Sequence, residues 1–163
     1  MIGRMVLRAV WGLLLFLPGV AFADFTGRVV GISDGDTIKV LHNGKAEKIR
    51  LYGIDCPEKG QAFGTRAKQF TSELVFGKNV TIKDHGLDKY GRTVGDVILP
   101  DGRVLNRELV AAGLAWWYRR YAPHDGTLER LEEEARAKQR GLWADPNRVS
   151  PWCYRKRQKG REC

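Results

Sequence analysis

Apolar and polar residues alternate along the chain from Phe25 onward, and the period of the alternation marks out the elements. Phe25 to Gly31 reads as a first strand, broken by Ser33-Asp34-Gly35-Asp36. Thr37-Ile38-Lys39-Val40-Leu41 has the two-residue period of a half-buried strand. Asn43-Gly44 predicts a tight hairpin, because a two-residue turn of the right twist needs positive φ at its central positions. Lys48 to Ile54 is then a third strand. Phe63, Ala67, Phe70 and Leu74 stand four, three and four apart, which makes one apolar stripe on a helix ended by Gly77. Asn79 to Lys83 and Thr93 to Leu99 read as a fourth and a fifth strand, joined by the polar connection from His85 to Arg92. A short helix over Val104–Ala112 stops at Gly113. A last helix over Asp125–Arg140 turns Leu128, Leu131 and Ala135 inward and stops at Gly141, after which Leu142 and Trp143 fold back onto the core. Glu129, Glu132, Glu133 and Glu134 of that helix read as a solvated face with local ion pairs. The plan is α+β: a five-stranded barrel of OB type, with one helix after the third strand and two at the end, three helices in all.

The ends of the chain differ from its middle. Arg4 and Arg8, the apolar run Val10–Val20 and Ala21-Phe22-Ala23 follow the three-part plan of a secretory signal peptide over residues 1–23. That predicts export, to the periplasm or the medium, and a mature chain starting at Asp24. Residues 24–144 then form one domain, and residues 145–163 a basic tail. Without Arg4 and Arg8 the cations fall from 28 to 26 against 19 acidic residues, a net charge of +7. A basic exported protein of this size suits a polyanionic partner. Cys56, Cys153 and Cys163 are an odd set, so at least one thiol is left over within a single chain. The preferred arrangement pairs Cys153 with Cys163 and leaves Cys56 free. His42, His85 and His124 are scattered and read as surface residues, and no cysteine or histidine spacing suits zinc.

The candidate chemistry gathers where strands end. Asp36 closes the turn before the second strand, and Asp55 and Glu58 follow the third. Arg50 lies within the third strand and Arg92 opens the fifth. Neighbouring strand ends of a barrel converge on one rim. Two aspartates there suit a hard cation with oxygen ligands, completed by waters. A third carboxylate, Glu58, can orient and deprotonate water, while arginines hold phosphoryl oxygens and offset charge in the transition state. Taken singly, each of these residues has a plain structural role open to it, in a turn, a helix start or a strand surface. Trp116, Trp117, Tyr118 and Tyr121 interleave with Arg119 and Arg120. That composition suits single strands, since every base offers a face to stack on. Some of these aromatics must pack the core; Tyr121 is the one expected to face substrate.

The motifs Asp34-Gly-Asp-Thr37, Arg50-Leu-Tyr-Gly-Ile-Asp-Cys-Pro-Glu58 and Asp88-Lys-Tyr-Gly-Arg92, in that order, resemble the staphylococcal-type thermonuclease family. The resemblance continues through Val104–Ala115 and covers most of the chain from Phe25 to Trp143. It implies an OB-fold barrel with three helices that hydrolyses DNA and RNA using calcium. It implies Asp36, Asp55 and the backbone carbonyl of Cys56 as metal ligands, and Glu58 as general base or water-orienting carboxylate. Arg50 and Arg92 become phosphate clamps, Lys89 and Tyr90 contacts to a terminal phosphate, and Tyr121 an aromatic at the nucleotide. Position 56 is Cys where well-known members carry Thr, and Arg119 stands where a tyrosine often sits.

These readings make the chain a monomeric, exported, calcium-dependent nuclease. A non-catalytic OB-type nucleic-acid-binding protein is the alternative, and an envelope-bound interaction protein using the Arg155–Arg161 tail a third. Only the first needs Asp36, Arg50, Asp55, Glu58 and Arg92 together.

Overall fold

Asn43 and Gly44 adopt φ of 49° and 76°, the left-handed pair that the hairpin requires. The computed structural model to which they belong describes residues 23–163. The signal-peptide reading therefore falls outside the described residues, save Ala23. The elements run β1 (Phe25–Asp34), β2 (Thr37–His42), β3 (Lys45–Leu51), β4 (Ile54–Asp55), α1 (Gly64–Val75), β5 (Asn79–Leu87) and β6 (Thr93–Ile98). They continue with α2 (Leu105–Ala111), β7 (Trp116–Trp117), α3 (Gly126–Ala137), a 3₁₀ turn (Gly141–Ala144) and α4 (Pro151–Gln158).

Five strands close a barrel in the order β1-β2-β3-β6-β5. Every pair is antiparallel except β3 with β6, which run parallel with Ile49 opposite Thr93 and Arg50 opposite Val94. Val29, Ile38, Val40, Ile49, Ile82 and Val97 are fully buried in the core. Each such aliphatic side chain contributes about 1.5–3 kcal/mol by leaving water. Ala67 and Val75 of α1, Leu105 and Leu109 of α2, and Leu128 of α3 join the same cluster. Asn106 ties α2 to the sheet. Its Oδ1 accepts from Val97 N at 3.1 Å and its Nδ2 donates to Tyr52 O at 2.9 Å. Asp125 caps α3, accepting from the backbone of Thr127 and Leu128, the usual remedy for the free N–H groups of a helix start.

The OB-type barrel is as expected, but β1 runs on through Asp34 and β5 through Leu87, past the expected ends at Gly31 and Lys83, and other elements differ as well. The third strand ends at Leu51, not Ile54, because Gly53 turns the chain at φ 72°. A side chain at Gly53 would press on Leu128 and Ala122. Ile54 and Asp55 then pair with Trp117 and Trp116 in a separate two-stranded ribbon. In α1 the expected stripe is shifted: Thr71 is buried and donates to Gly35 O at 2.6 Å, while Phe70 and Leu74 pack at the edge of the core. Glu132 is fully buried, not part of a solvated face. The tail is ordered into α4, which raises the helices from three to four among the described residues. None of these helices is long and apolar enough to cross a membrane.

Candidate active site

The Asp34–Asp36 turn is tight because Gly35 lies against α1. A Cβ on Gly35 would come within 2.8 Å of Ala67 Cβ and 2.9 Å of Cys56 Sγ. This delivers Asp36, 2% exposed, to the start of β2. One Asp36 carboxylate oxygen accepts from Cys56 N at 2.6 Å, and the other pairs with Arg50 Nη1 and accepts from Thr37 Oγ1. Asp55 is 0% exposed. Arg50 Nη2 donates to its Oδ1 at 2.7 Å. A single guanidinium thus spans both aspartates. Register explains the convergence: Arg50 sits opposite Thr37 across β2–β3, next to Asp36, and five residues before Asp55.

Glu58 lies three residues beyond Asp55. The loop holding it packs tightly on the start of α1, where a Cβ at Gly64 would collide with Glu58 O. Gln61 accepts from Glu58 N at 3.0 Å and donates to Val149 O at 2.6 Å, linking this loop to the chain before α4. Arg155 reaches in from α4. Its Nη1 donates to Glu58 Oε1 at 2.5 Å and to Asp55 Oδ1 at 3.2 Å, and its Nη2 to Asp55 Oδ2 at 2.7 Å. Burial alone would lower its pKa, but Asp55 and Glu58 raise it above the ordinary arginine value, so it stays charged. Three carboxylates therefore face two guanidiniums.

Arg92 sits just before Thr93, at the level of Lys48 on the neighbouring strand. Asp88 holds it, accepting from Arg92 Nε and Nη2 at 2.7 Å each. Burial works against the Asp88 anion, yet hydrogen bonds from Arg92 and from Tyr90 N hold its carboxyl below the usual range. The described contacts do not bring Arg92 onto Asp36, Asp55 or Glu58. Lys89 and Tyr90 lie on the exposed tip of the same turn, and both cations, Lys89 and Arg92, approach the Tyr90 ring. Tyr121 is exposed; its ring meets Tyr118 edge-on and its carbonyl accepts from Tyr52 OH at 3.1 Å. Tyr118 stacks on Trp152 of α4. Trp117 is buried and donates to Ala122 O.

Cys153 and Cys163 are joined in a disulfide, and Cys56 is free and buried. Burial pushes the Cys56 thiol well above its ordinary pKa, against a smaller opposing pull from Arg50. It is a neutral packing group, which leaves its backbone carbonyl as the only hard ligand it offers.

The donor set suits a hard cation. Two buried carboxylates close enough to share Arg50 are costly anions that need positive charge, which Arg50 and Arg155 supply here, and carboxylate oxygens are donors that a hard cation also takes. Among the described residues no three His, Cys, Asp or Glu side chains form a ready-made cage. Asp36 and Asp55 are buried, and their oxygens are taken by Cys56 N, Thr37, Arg50 and Arg155.

A closed OB-type barrel with carboxylates and arginines interleaved at one end defines a class of phosphate-ester-handling proteins. The staphylococcal nuclease homologue family matches residues 48–145 of this chain. A micrococcal nuclease of Shigella flexneri is 44% identical over 163 residues, covering 94% of each chain. An uncharacterized endonuclease of Escherichia coli O157:H7 is 45% identical over 146 residues, covering 90% of this chain and 95% of its own. The staphylococcal-like nuclease CAN1 of Arabidopsis thaliana is 38% identical over 116 residues, 71% of this chain and 35% of its own. The chain belongs to the staphylococcal nuclease homologue family, and it is a nuclease.

Sequence reasoning had placed Asp36, Arg50, Asp55 and Glu58, and the structure brings these four together. It missed Arg155, Asp88 as the holder of Arg92, and Gln61. The one available signal for Arg155 was its place in a cationic run beside Trp152 and Tyr154.

Proposed function

We propose that this nuclease hydrolyses DNA and RNA with calcium, as an exported monomer that favours single strands and leaves 3′-phosphate ends. The observation that carries the reading is the convergence at one rim of Asp36 and Asp55 on Arg50 and of Asp55 and Glu58 on Arg155. Asp36, Asp55 and the Cys56 carbonyl would hold the cation. Bound there, it would supply positive charge to the phosphoryl group and acidify water. Glu58 takes a proton from the attacking water as its oxygen bonds to phosphorus. The bond to the 5′ oxygen breaks, its electron pair leaves with that oxygen, and a proton from solvent completes the alcohol. Arg50 and Arg92 hold the non-bridging oxygens, where negative charge grows in the transition state. The fork of a guanidinium suits that task because it can donate two parallel bonds. Tyr121, exposed beside Tyr118, offers a face for a base, and Lys89 and Tyr90 a contact to a terminal phosphate. Export is supported by the Arg4–Ala23 pattern and by the disulfide, a bond that oxidising compartments preserve.

The test is cleavage of single-stranded DNA by the chain from Asp24 on, with calcium, with a calcium chelator, and for Glu58→Gln. Loss of a general base costs about 10²–10⁴ in rate, so the variant should lose nearly all turnover and keep strand binding. Cutting that survives chelation would sink calcium; a Glu58→Gln chain that keeps most of its activity would sink the base.

A further inference from the structure

The C-terminal helix lies beyond the residues matched to the family, yet one of its side chains sits in the site. Arg155 makes three charge-assisted hydrogen bonds, two to Asp55 and one to Glu58. It takes both oxygens of Asp55, and one of these it shares with Arg50. A cation held by Asp55 needs one of the same oxygens, and a water held by Glu58 needs Oε1. Guanidinium and cation cannot both have them at full strength.

The position of Arg155 is built. Trp152 stacks on Tyr118 and meets Trp116 edge-on. Gln61 bonds Val149 O just ahead of the helix. The Cys153–Cys163 disulfide ties the segment after α4 back to the first turn of the helix. The helix is therefore held beside the carboxylates while the long Arg155 side chain, 39% exposed, can still turn outward. Its guanidinium stands beside that of Arg50, since both donate to Asp55 Oδ1.

We propose that Arg155 is an exchangeable third arginine of the active site. It neutralises Asp55 and Glu58 until a divalent cation takes their oxygens, and its guanidinium then binds a substrate phosphate. This deepens the calcium-nuclease reading and rests on it. The exchange makes cation and strand binding cooperative: the cation releases the group that the phosphate uses, and the phosphate gives that group a new partner. Such coupling is reciprocal, so bound strand tightens the cation by the factor by which the cation tightens the strand.

Calcium binding to the full mature chain is measured by calorimetry without nucleic acid, for the native chain and Arg155→Ala. Circular dichroism of both checks the fold. Because the contacts are partly exposed they are discounted, and the expected change is about tenfold tighter calcium in the variant, equivalent to about 1.4 kcal/mol. Single-stranded oligonucleotide binding is then measured by anisotropy with calcium present, in a Glu58→Gln background so that nothing is cut. There Arg155→Ala should weaken binding about tenfold, and Arg155→Lys, which keeps the charge but not the fork, should fall between. Equal calcium affinity for native and Arg155→Ala chains overturns the exchange and leaves the nuclease reading standing. Tighter calcium with unchanged strand binding overturns the substrate role of Arg155. Calcium bound by neither chain overturns the calcium reading and the exchange with it.

Discussion

Replacing Glu132 by alanine should cost this protein about 4 kcal/mol of stability. The carboxylate is fully buried. Its Oε1 accepts from Trp117 N at 3.1 Å, and its Oε2 pairs with Arg119 at 3.0 Å and with Arg136 at 3.1 Å. Alanine leaves the Trp117 N–H without a partner, which costs about 1–3 kcal/mol for a buried donor. Lost packing of the side-chain methylene adds about 0.8 kcal/mol. The arginines are 53% and 43% exposed and can turn to water, so each ion pair adds only about 0.5 kcal/mol. Glutamine keeps an acceptor for Trp117 N and most of the packing, and should cost about 1 kcal/mol. Urea unfolding of the three proteins, followed by tryptophan fluorescence and far-ultraviolet dichroism, measures both numbers. In a thermal scan the alanine variant should melt about 8–16 °C lower, at about 2–4 °C per kcal/mol for a chain of this size. Equal losses for alanine and glutamine would mean that charge, not the buried N–H bond, carries the effect. A loss under about 0.5 kcal/mol for alanine, the range of an ordinary surface change, would refute the reasoning outright. Activity is a second readout. Trp117 pairs with Ile54, the residue before Asp55, so the alanine variant should also lose turnover below its melting point.

Two further predictions concern the edges of the site. Asp88 has a carboxyl pKa below its ordinary 3.8; it binds fewer protons folded than unfolded, so its contribution is present above that value and fades as pH falls through the lower folded one. Asp88→Asn should therefore lower stability at neutral pH and flatten the acid limb of a stability-against-pH curve below about pH 4, and an unchanged limb would show that Asp88 does not hold the Arg92 turn. Converting Lys156, Arg157, Lys159 and Arg161 together to glutamine should reduce the salt dependence of single-strand binding by up to about 3 in log–log slope, at about 0.7 per phosphate contact, and an identical slope would return these residues to the role of a solvated end.

Local signals carried the barrel. Asn43-Gly44 announces its hairpin because the turn needs φ angles that few residues adopt, and Asp125 caps α3 as short polar side chains do. The rim followed from motif order, since Asp36, Arg50, Asp55 and Glu58 sit close in sequence to the strand ends that position them. Glu132 was hidden because a run of glutamates on a helix does not say which one faces inward; that depends on Trp117 arriving from another segment. Arg155 was hidden for a stronger reason. It pairs with a residue 100 positions earlier, and no periodicity along the chain reports a contact between elements so far apart. The early end of the third strand was readable at Gly53, whose positive φ favours glycine, while the close approach of Ala122 and Leu128, supplied by later segments, was not.

The parallel seam between β3 and β6 sets a folding order. A parallel pair cannot form from a local hairpin, so Leu51 must wait for α1 and β5 before Gly95 can come alongside it. Closing such a long loop is a late and entropically unfavourable event. Arg50 stands on one side of that seam and Arg92 at the other, so on the catalytic roles proposed above an unclosed barrel holds them apart. Refolding experiments should find cleavage returning no earlier than the last phase of barrel closure, because the seam that brings Arg50 and Arg92 to neighbouring strands forms last.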